Sequence, residues 1–162
     1  MRPWSRTSAI STRRAKIADC AALAEIHVTS FKRGWSDSEF EALLVQPGVY
    51  AVLAERRGRF GSRAAAGFVI YRATIEEAEI LSVAVAPEFR RRGVGRMLVE
   101  EALRHLYRVG AQTLHLEVED GNHAAIRLYR RLEFRESGRR PAYYAQGRDK
   151  PGGALVMARQ LR

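Results

Sequence analysis

The sequence predicts a single α/β domain in which a mixed central sheet of about seven strands carries helices on both faces. Three observations predict this fold class. The chain has 162 residues, which is enough for one packed core. An apolar run over residues 80–86 is followed by a glycine-containing loop and by a segment of helical apolar period over residues 94–109. Segments with the alternating pattern of strands stand on both sides of this unit.

The N-terminal half is predicted to hold a strand, two helices and a hairpin. Asp19 is the expected N-cap of the first helix. Ser36 and Glu39 lie three residues apart, which is the signature of a capping box, so they mark the start of the second helix. The predicted elements of this half are strand 14–17, helix 20–31, a second helix ending at residue 44, strand 49–55 and strand 64–73.

The C-terminal half is predicted to alternate strands and helices. The apolar character of residues 80–86 is typical of a strand covered on both faces. Gly110 is placed to end the following helix, and Asn122 is placed to cap the next one. The predicted elements of this half are strand 79–86, helix 94–109, strand 112–119, helix 123–132, strand 134–139 and strand 154–161.

Composition excludes several classes of protein. No apolar run approaches the roughly 20 residues that a membrane span requires. A single cysteine, Cys20, cannot form an internal disulfide and is typical of a reducing compartment, so we expect a cytoplasmic protein. Residues 1–12 are rich in arginine, serine and threonine and lack apolar periodicity, so they are expected to be a flexible extension before a domain over residues 13–162.

The net charge of +10 raises the possibility of nucleic-acid binding. Of the 28 basic residues, 25 are arginines, and these are scattered over the whole chain rather than gathered in one segment. Such a distribution is typical of a solvated basic surface. Direct binding of nucleic acid is therefore not expected, although a bias toward an acidic ligand or partner remains.

The loop before the helix at residue 94 is built to hold an anion. Unpaired N–H groups and a partial positive charge collect at the start of a helix, and glycine lets an anion approach them closely. A phosphate-binding loop of the nucleoside-triphosphate type requires Gly-Lys, which the chain lacks, and a dinucleotide fingerprint requires a glycine where Leu98 stands. The residues of the loop are Arg90, Arg91, Arg92, Gly93, Val94, Gly95 and Arg96.

These residues resemble the Gln/Arg-x-x-Gly-x-Gly/Ala signature of the GNAT superfamily of N-acetyltransferases. The run over residues 81–87 before the loop, and the run from Asn122 to Tyr129 after the next strand, also resemble that superfamily. Within it, residues 31–36, residues 116–118 and residues 140–144 are most similar to the bacterial ribosomal-protein-alanine N-acetyltransferases. Three features depart from the family pattern: Glu133 stands where a glycine is common, Gly152-Gly153 stands where an acidic pair is common, and residues 1–12 are extra.

The resemblance implies acetyl-CoA as cosubstrate and assigns the residues that would bind it. The backbone of the loop over residues 90–96 would hold the pyrophosphate. The backbone of Val83, Ala84 and Val85 would pair with the pantetheine arm in the manner of an added strand. Asn122 would also contact the cosubstrate, although capping its own helix is an equally good use of its side chain.

The resemblance also implies the catalytic and acceptor-binding residues. Glu117 would be the general base and Tyr129 the general acid for the departing thiolate, while Trp35, Tyr143 and Tyr144 would line the acceptor site. Alternation places Glu117 on the polar face of its strand, which fits a base but equally fits a solvated charge. A phenol pKa near 10 exceeds the roughly 8.5 of a thiol, so Tyr129 can keep its proton until the thiolate forms.

The expected function is therefore acetylation of a protein N-terminus, an alanine of a small-subunit ribosomal protein, by direct transfer. The four histidines show no metal-ligand spacing, so no metal is expected. Two alternatives remain open from the residues. One is a GNAT enzyme acting on a small-molecule amine or a lysine side chain. The other is a non-catalytic module that binds RNA or the ribosome.

Overall fold

A computed structural model describes residues 9–141 and 152–162, and it confirms the predicted fold class. Seven strands form one sheet in the order β1-β2-β3-β4-β5-β7-β6. The strands are β1 (Ile10–Arg14), β2 (Val49–Arg57), β3 (Arg63–Ala73), β4 (Glu77–Val85), β5 (Thr113–Glu119), β6 (Arg135–Arg140) and β7 (Ala154–Gln160). The helices are α1 (Cys20–Val28), α2 (Asp37–Leu44), α3 (Val94–Val109) and α4 (His123–Arg131).

The helices lie on both faces of this sheet, and two adjacent residues of β3 show it. Successive side chains of a strand point to opposite faces. Phe68 packs against the rings of His27 in α1 and Phe40 in α2. On the other face, a Cβ built on Gly67 would lie 3.2 Å from Leu98 of α3. Thus α1 and α2 cover one face, and α3 covers the opposite one.

The short pairing of β4 with β5 leaves a gap in the sheet where a ligand can bind. These two strands run parallel and pair only over Glu77–Glu79 and Thr113–His115, whereas all other neighbours are antiparallel. Both strands continue past that point, to Val85 and to Glu119. A bulge in the β3–β4 ladder, between Ile70 and Tyr71, falls where the two strands part. The sheet is therefore split between the C-terminal halves of β4 and β5.

The first strand lies closer to the N-terminus than its composition indicates. It runs from Ile10 to Arg14 instead of over residues 14–17, so residues 10–12 pair within the sheet. Arginine is tolerated here because β1 is an edge strand with nearby partners. Arg13 binds Asp19 and Glu55, and the guanidinium of Arg14 lies 4.3 Å from the ring centre of Tyr50.

The first helix is shorter than predicted and starts without the expected cap. It ends at Val28 rather than at residue 31. Asp19 makes no side-chain capping bond to it, because its carboxylate accepts hydrogen bonds from Arg13 and from the N–H of Lys16. The capping box at Ser36 and the full extent of α3 are confirmed. The remaining predicted boundaries differ from the observed ones by at most two residues.

Candidate active site

The loop that enters α3 has the backbone shape of an anion-binding cradle. Arg91 and Gly93 have φ values of 62° and 78°, so two left-handed residues curve the chain just before the helix. The first helical hydrogen bond runs from the N–H of Met97 to the carbonyl of Gly93, at 3.1 Å. The N–H groups of residues 93–96 precede that bond and remain available to a ligand. This geometry fits a pyrophosphate.

The arginine side chains of this loop behave differently from one another. Arg90 turns back onto the protein, where its guanidinium donates to the carbonyl of Val85 at 3.1 Å and to Ser30 Oγ at 3.2 Å. Arg96 pairs with Glu100 along the helix at 2.9 Å. Arg92 lies near the ring of Phe89, and both it and Arg91 are exposed. Hence Arg90 and Arg96 are engaged by partners within the protein, and Arg91 and Arg92 are exposed beside the helix entrance.

The split between β4 and β5 leaves a strand edge beside this loop. Val83, Ala84 and Val85 lie in the part of β4 that has no pairing with β5. Ala84 is buried, whereas Val83 and Val85 are half-buried. The sequence predicts a strand that helices cover on both faces, but one face of this segment is only partly covered. An extended chain with amide groups, such as a pantetheine arm, has the chemistry to pair with such an edge.

A cavity of about 620 Å³ opens on the α1 and α2 side of the split. Trp35, Leu81, Glu117 and Arg140 are among the residues that line it. The structure therefore brings together Trp35 and Glu117, two predicted site residues that are far apart in the sequence. The other residues that line the cavity are Glu39, Ala42, Leu43, Gln46, Arg72, Glu79 and Ile80.

Glu117 is accessible at the place where the strands part. It is a residue of β5 just beyond the last pair with β4, and 39% of its side chain is exposed. Its carboxylate pairs with Arg140 of β6 at 2.9 Å, and that arginine is 67% exposed. An ion pair this exposed contributes little stability and opens easily. The carboxylate can thus exchange its partner for a proton donor in the cavity.

Arg140 was not among the residues that the sequence predicts for the site. Its neighbourhood is a run of charges in residues 135–140, and such a run usually forms a solvated strand edge. The contact arises because β6 pairs with β7, and β7 in turn pairs with β5. No local pattern carries that information.

Tyr129 lies in α4 and is buried, with its ring edge-on to Phe134 at 5.6 Å between centres. Burial raises the pKa of Tyr129 to about 12, so the phenol holds its proton at neutral pH. Asn122 caps α4 by accepting a hydrogen bond from the N–H of Ala125 at 3.2 Å, as its position in the sequence indicates. In this arrangement its side-chain oxygen is engaged by the helix.

Some predicted features fall elsewhere. Tyr143 and Tyr144 lie outside the described residues. Within residues 9–141 and 152–162, no three histidine, cysteine or acidic side chains approach one another closely enough to hold a metal ion, and no helix is long and apolar enough to cross a membrane. Cys20 is buried at the start of α1, and burial raises the pKa of its thiol.

Several known proteins have similar sequences. A Salmonella typhimurium [ribosomal protein bS18]-alanine N-acetyltransferase is 44% identical over 95 residues, which cover 57% of this chain and 62% of that protein. A Bacillus subtilis protein described as a putative enzyme of the same kind is 29% identical over 148 residues, covering 91% and 93% of the two chains. The match to the first relative thus spans less than two thirds of its length.

Solved structures and family models agree with these relatives. The crystal structure of the ribosomal-protein-S18-alanine N-acetyltransferase from Escherichia coli superposes with a TM-score of 0.83 at 29% identity, covering 94% of each chain. The model of the acetyltransferase (GNAT) family matches residues 20–134, well over half of the chain. With the cradle at α3, the split sheet and the carboxylate beside it, this match leads to one conclusion: the chain belongs to the acetyltransferase (GNAT) family.

Proposed function

We propose that this acetyltransferase transfers the acetyl group of acetyl-CoA to the N-terminal α-amine of a protein, an alanine of a small-subunit ribosomal protein in the cytoplasm. The observation that carries the proposal is the cavity beside the split sheet, which opens next to Glu117 and is walled by Trp35. The relatives named as alanine N-acetyltransferases support the choice of acceptor.

The cosubstrate would occupy the cradle and the split. Acetyl-CoA supplies a thioester whose acetyl group the amine attacks. The N–H groups of residues 93–96 would hold the pyrophosphate, and the free edge of β4 from Val83 to Val85 would pair with the pantetheine arm. Backbone N–H groups of that edge can stabilise negative charge on the thioester oxygen during attack.

Glu117 would take the proton from the attacking amine, directly or through one water. An α-amine has a pKa of about 8, against about 10.4 for a lysine side chain. At pH 7 roughly a tenth of α-amines are already neutral, whereas fewer than a thousandth of lysine amines are. A single exposed carboxylate is therefore a sufficient base for an α-amine and a poor one for lysine.

Tyr129 would supply the proton for the departing thiolate of the cosubstrate. Burial raises its pKa to about 12, so the phenol is protonated at neutral pH and carries the proton to be donated. Cys20 is the sole cysteine, and it is buried at the start of α1 in the core. Direct transfer between the two substrates is accordingly the simpler route.

The test compares two peptides with acetyl-CoA under identical conditions. One begins Ala-Arg-Tyr with a free N-terminus, and the other has the same sequence with a blocked N-terminus and a free lysine. We expect acetylation of the first alone, located on the α-amine by mass spectrometry. Glu117→Gln should lower kcat/KM by about 10²- to 10⁴-fold, the range typical of a lost general base. Glu119→Gln, two residues along the same strand, is the matched control and should change little.

Three outcomes would contradict the proposal. Equal labelling of both peptides would remove the preference for an α-amine. Turnover of polyamines or aminoglycosides without turnover of peptides would favour a small-molecule acceptor instead. Unchanged peptide acetylation in a Glu117→Gln, Tyr129→Phe double variant would show that neither side chain takes part in proton transfer.

A further inference from the structure

A buried histidine lies at the centre of an aromatic cluster next to the proposed acceptor cavity. His27 is in α1, and only 2% of its surface is exposed. Its ring stacks on Phe31 at 4.2 Å and on Trp35 at 4.6 Å, with interplanar angles of 22° and 18°. The ring of Phe40 packs edge-on against the imidazole of His27, and the ring of Phe68 also packs near that imidazole. The histidine therefore connects α1, the α1–α2 loop, α2 and β3.

One hydrogen bond specifies the protonation state of this ring. The backbone N–H of Trp35 donates to Nδ1 of His27 at 3.0 Å. An N–H donor requires a free lone pair on Nδ1, so the bond exists only with the neutral ring whose proton sits on Nε2. Burial lowers the pKa of His27, and the ring is neutral at pH 7.

Within the described part of the chain, few charged groups shift the pKa of His27. The rings packed against it from α1, the loop, α2 and β3 are uncharged. Glu39 of α2 is the charged group that favours its protonated form. The carboxylate of Glu39 is itself engaged by Arg33 at 2.8 Å and by the N–H of Ser36 at 2.8 Å, so its pull on His27 is shared with other donors.

The hydrogen bond holds a wall of the cavity in place. Trp35 lines the cavity and directly precedes Ser36, the N-cap of α2. Ala42 and Leu43 of α2 line the same cavity. A change at Nδ1 of His27 is therefore transmitted to Trp35 and to the start of the helix that forms the rest of this wall.

We propose that His27 is a positioning residue for the acceptor: its neutral ring holds Trp35 in the cavity wall, and protonation of Nδ1 breaks that bond and weakens acceptor binding. The acceptor part of this inference rests on the proposed function, whereas the link between His27 and Trp35 does not. A protonated Nδ1 presents an N–H toward the N–H of Trp35, so two donors face each other and the wall loses its anchor.

Tryptophan fluorescence tests the link without any substrate. The chain has two tryptophans, Trp4 and Trp35, so Trp4→Phe leaves Trp35 as the single reporter. We expect its emission to change with a midpoint below pH 6.5 while far-UV circular dichroism stays constant. His27→Asn keeps an acceptor oxygen near the place of Nδ1 but cannot be protonated, and should abolish the transition.

The matched control for this titration is His105→Asn. His105 is the other histidine whose pKa burial lowers, and its Nδ1 pairs with the hydroxyl of Tyr71 beneath α3. This variant should keep the transition of Trp35. The link is overturned if His27→Asn titrates like its parent, or if the transition of Trp35 disappears in His105→Asn.

Steady-state kinetics with the Ala-Arg-Tyr peptide test the acceptor part. An α-amine acceptor alone makes log kcat/KM fall with a slope of about 1 below its pKa. If His27 acts as proposed, the slope of log kcat/KM against pH should steepen toward about 2 below pH 6.5, because KM for the peptide rises. His27→Asn should restore a slope of about 1, with KM for acetyl-CoA unchanged.

His27→Phe separates stacking from hydrogen bonding at neutral pH. It keeps a ring in the cluster but removes the acceptor, so KM for the peptide should rise about fivefold, the effect of one lost hydrogen bond. An unchanged peptide KM in His27→Phe, or an equal steepening in His27→Asn, would overturn the positioning role. If no peptide is acetylated at all, the proposed function fails, and the fluorescence titration still decides whether His27 holds Trp35.

Discussion

Tyr129 and Glu117 illustrate how differently two residues of one proposed site are held. The tyrosine is buried in the inner face of α4, where packing alone would retain an aromatic ring. The glutamate stands exposed at the split of the sheet, where it pairs with an exposed arginine. Burial suits a group that must keep its proton, and exposure suits a group that must exchange one with the amine and solvent.

Tyr129→Phe tests the acid role at the level of one atom. We expect kcat to fall by about 10²-fold or more because the proton for the thiolate is lost, with KM for acetyl-CoA little changed. Steady-state rates measured with the free coenzyme thiol as readout would check this. The control is Tyr71→Phe, which removes the same atom from another buried tyrosine whose pKa is also raised to about 12. A normal kcat in Tyr129→Phe would exclude the tyrosine as the acid.

Residue patterns predicted the face of Glu117 but not its surroundings. Alternation along β5 needs only the local sequence, so the exposed side of that strand was correctly placed. The partner Arg140 reaches the site through β7, and the bond from Trp35 to His27 joins two segments whose geometry depends on the α1–α2 loop. The side chain of Arg90 contacts Val85 and Ser30. The sequence of the loop, which is typical of a phosphate-binding loop, does not predict these contacts.

At the scale of elements, the entrance to α3 includes a glycine in the left-handed conformation. Gly93 has a φ of 78°, and a Cβ added there would meet no neighbouring atom within 4 Å. The cost of a side chain at this position is therefore one of backbone conformation rather than of space. Glu133 shows the opposite case, because a residue with a side chain holds a φ of 67°.

Gly93→Ala and Glu133→Gly should consequently change stability in opposite directions. We expect Gly93→Ala to lower the free energy of unfolding by about 1 kcal/mol, and to raise KM for acetyl-CoA because the cradle loses its curvature. Glu133→Gly should raise the free energy of unfolding by up to about 1 kcal/mol through relief of strain, less the contribution of the ion pair between Glu133 and Arg159. Urea unfolding of both variants checks the pair. A stabilised Gly93→Ala would contradict the conformational argument.

Most elements follow from local patterns, and the exceptions have a physical cause. The helix α3 agrees with its prediction at both ends because its apolar period is strong and Gly110 ends it in the left-handed region. The strand β1 was misplaced because it is an edge strand whose arginines are satisfied by Asp19, Glu55 and the ring of Tyr50. Such partners come from other elements and leave no mark in the strand itself.

At the scale of the whole molecule, two histidines make stability depend on pH. Burial lowers the pKa values of His27 and His105 below 6.5, so both rings are neutral in the folded state at pH 7. The unfolded chain then binds more protons than the folded one below pH 6.5. The free energy of unfolding therefore falls as the pH drops from 6.5 through the lowered pKa values of the two histidines.

Urea unfolding between pH 5 and pH 8 measures this dependence, with about half a unit between points. We expect the wild-type protein to lose stability below pH 6.5 and the His27→Asn, His105→Asn double variant to lose much less over the same range. Equal losses in both proteins would show that groups other than these two histidines cause the acid sensitivity.

The linear chain already carried the order of the elements, the seven strands and the chemistry of the loop at Gly93, because periodicity, capping and turn residues act over a few neighbours. The site itself depends on contacts between distant segments. The early end of the β4–β5 ladder, the pairing of Glu117 with Arg140 and the bond from Trp35 to His27 each join parts of the chain that meet only when the sheet is assembled. A local pattern cannot encode where two strands part, since that depends on the bulge, the register and the helices packed on both faces.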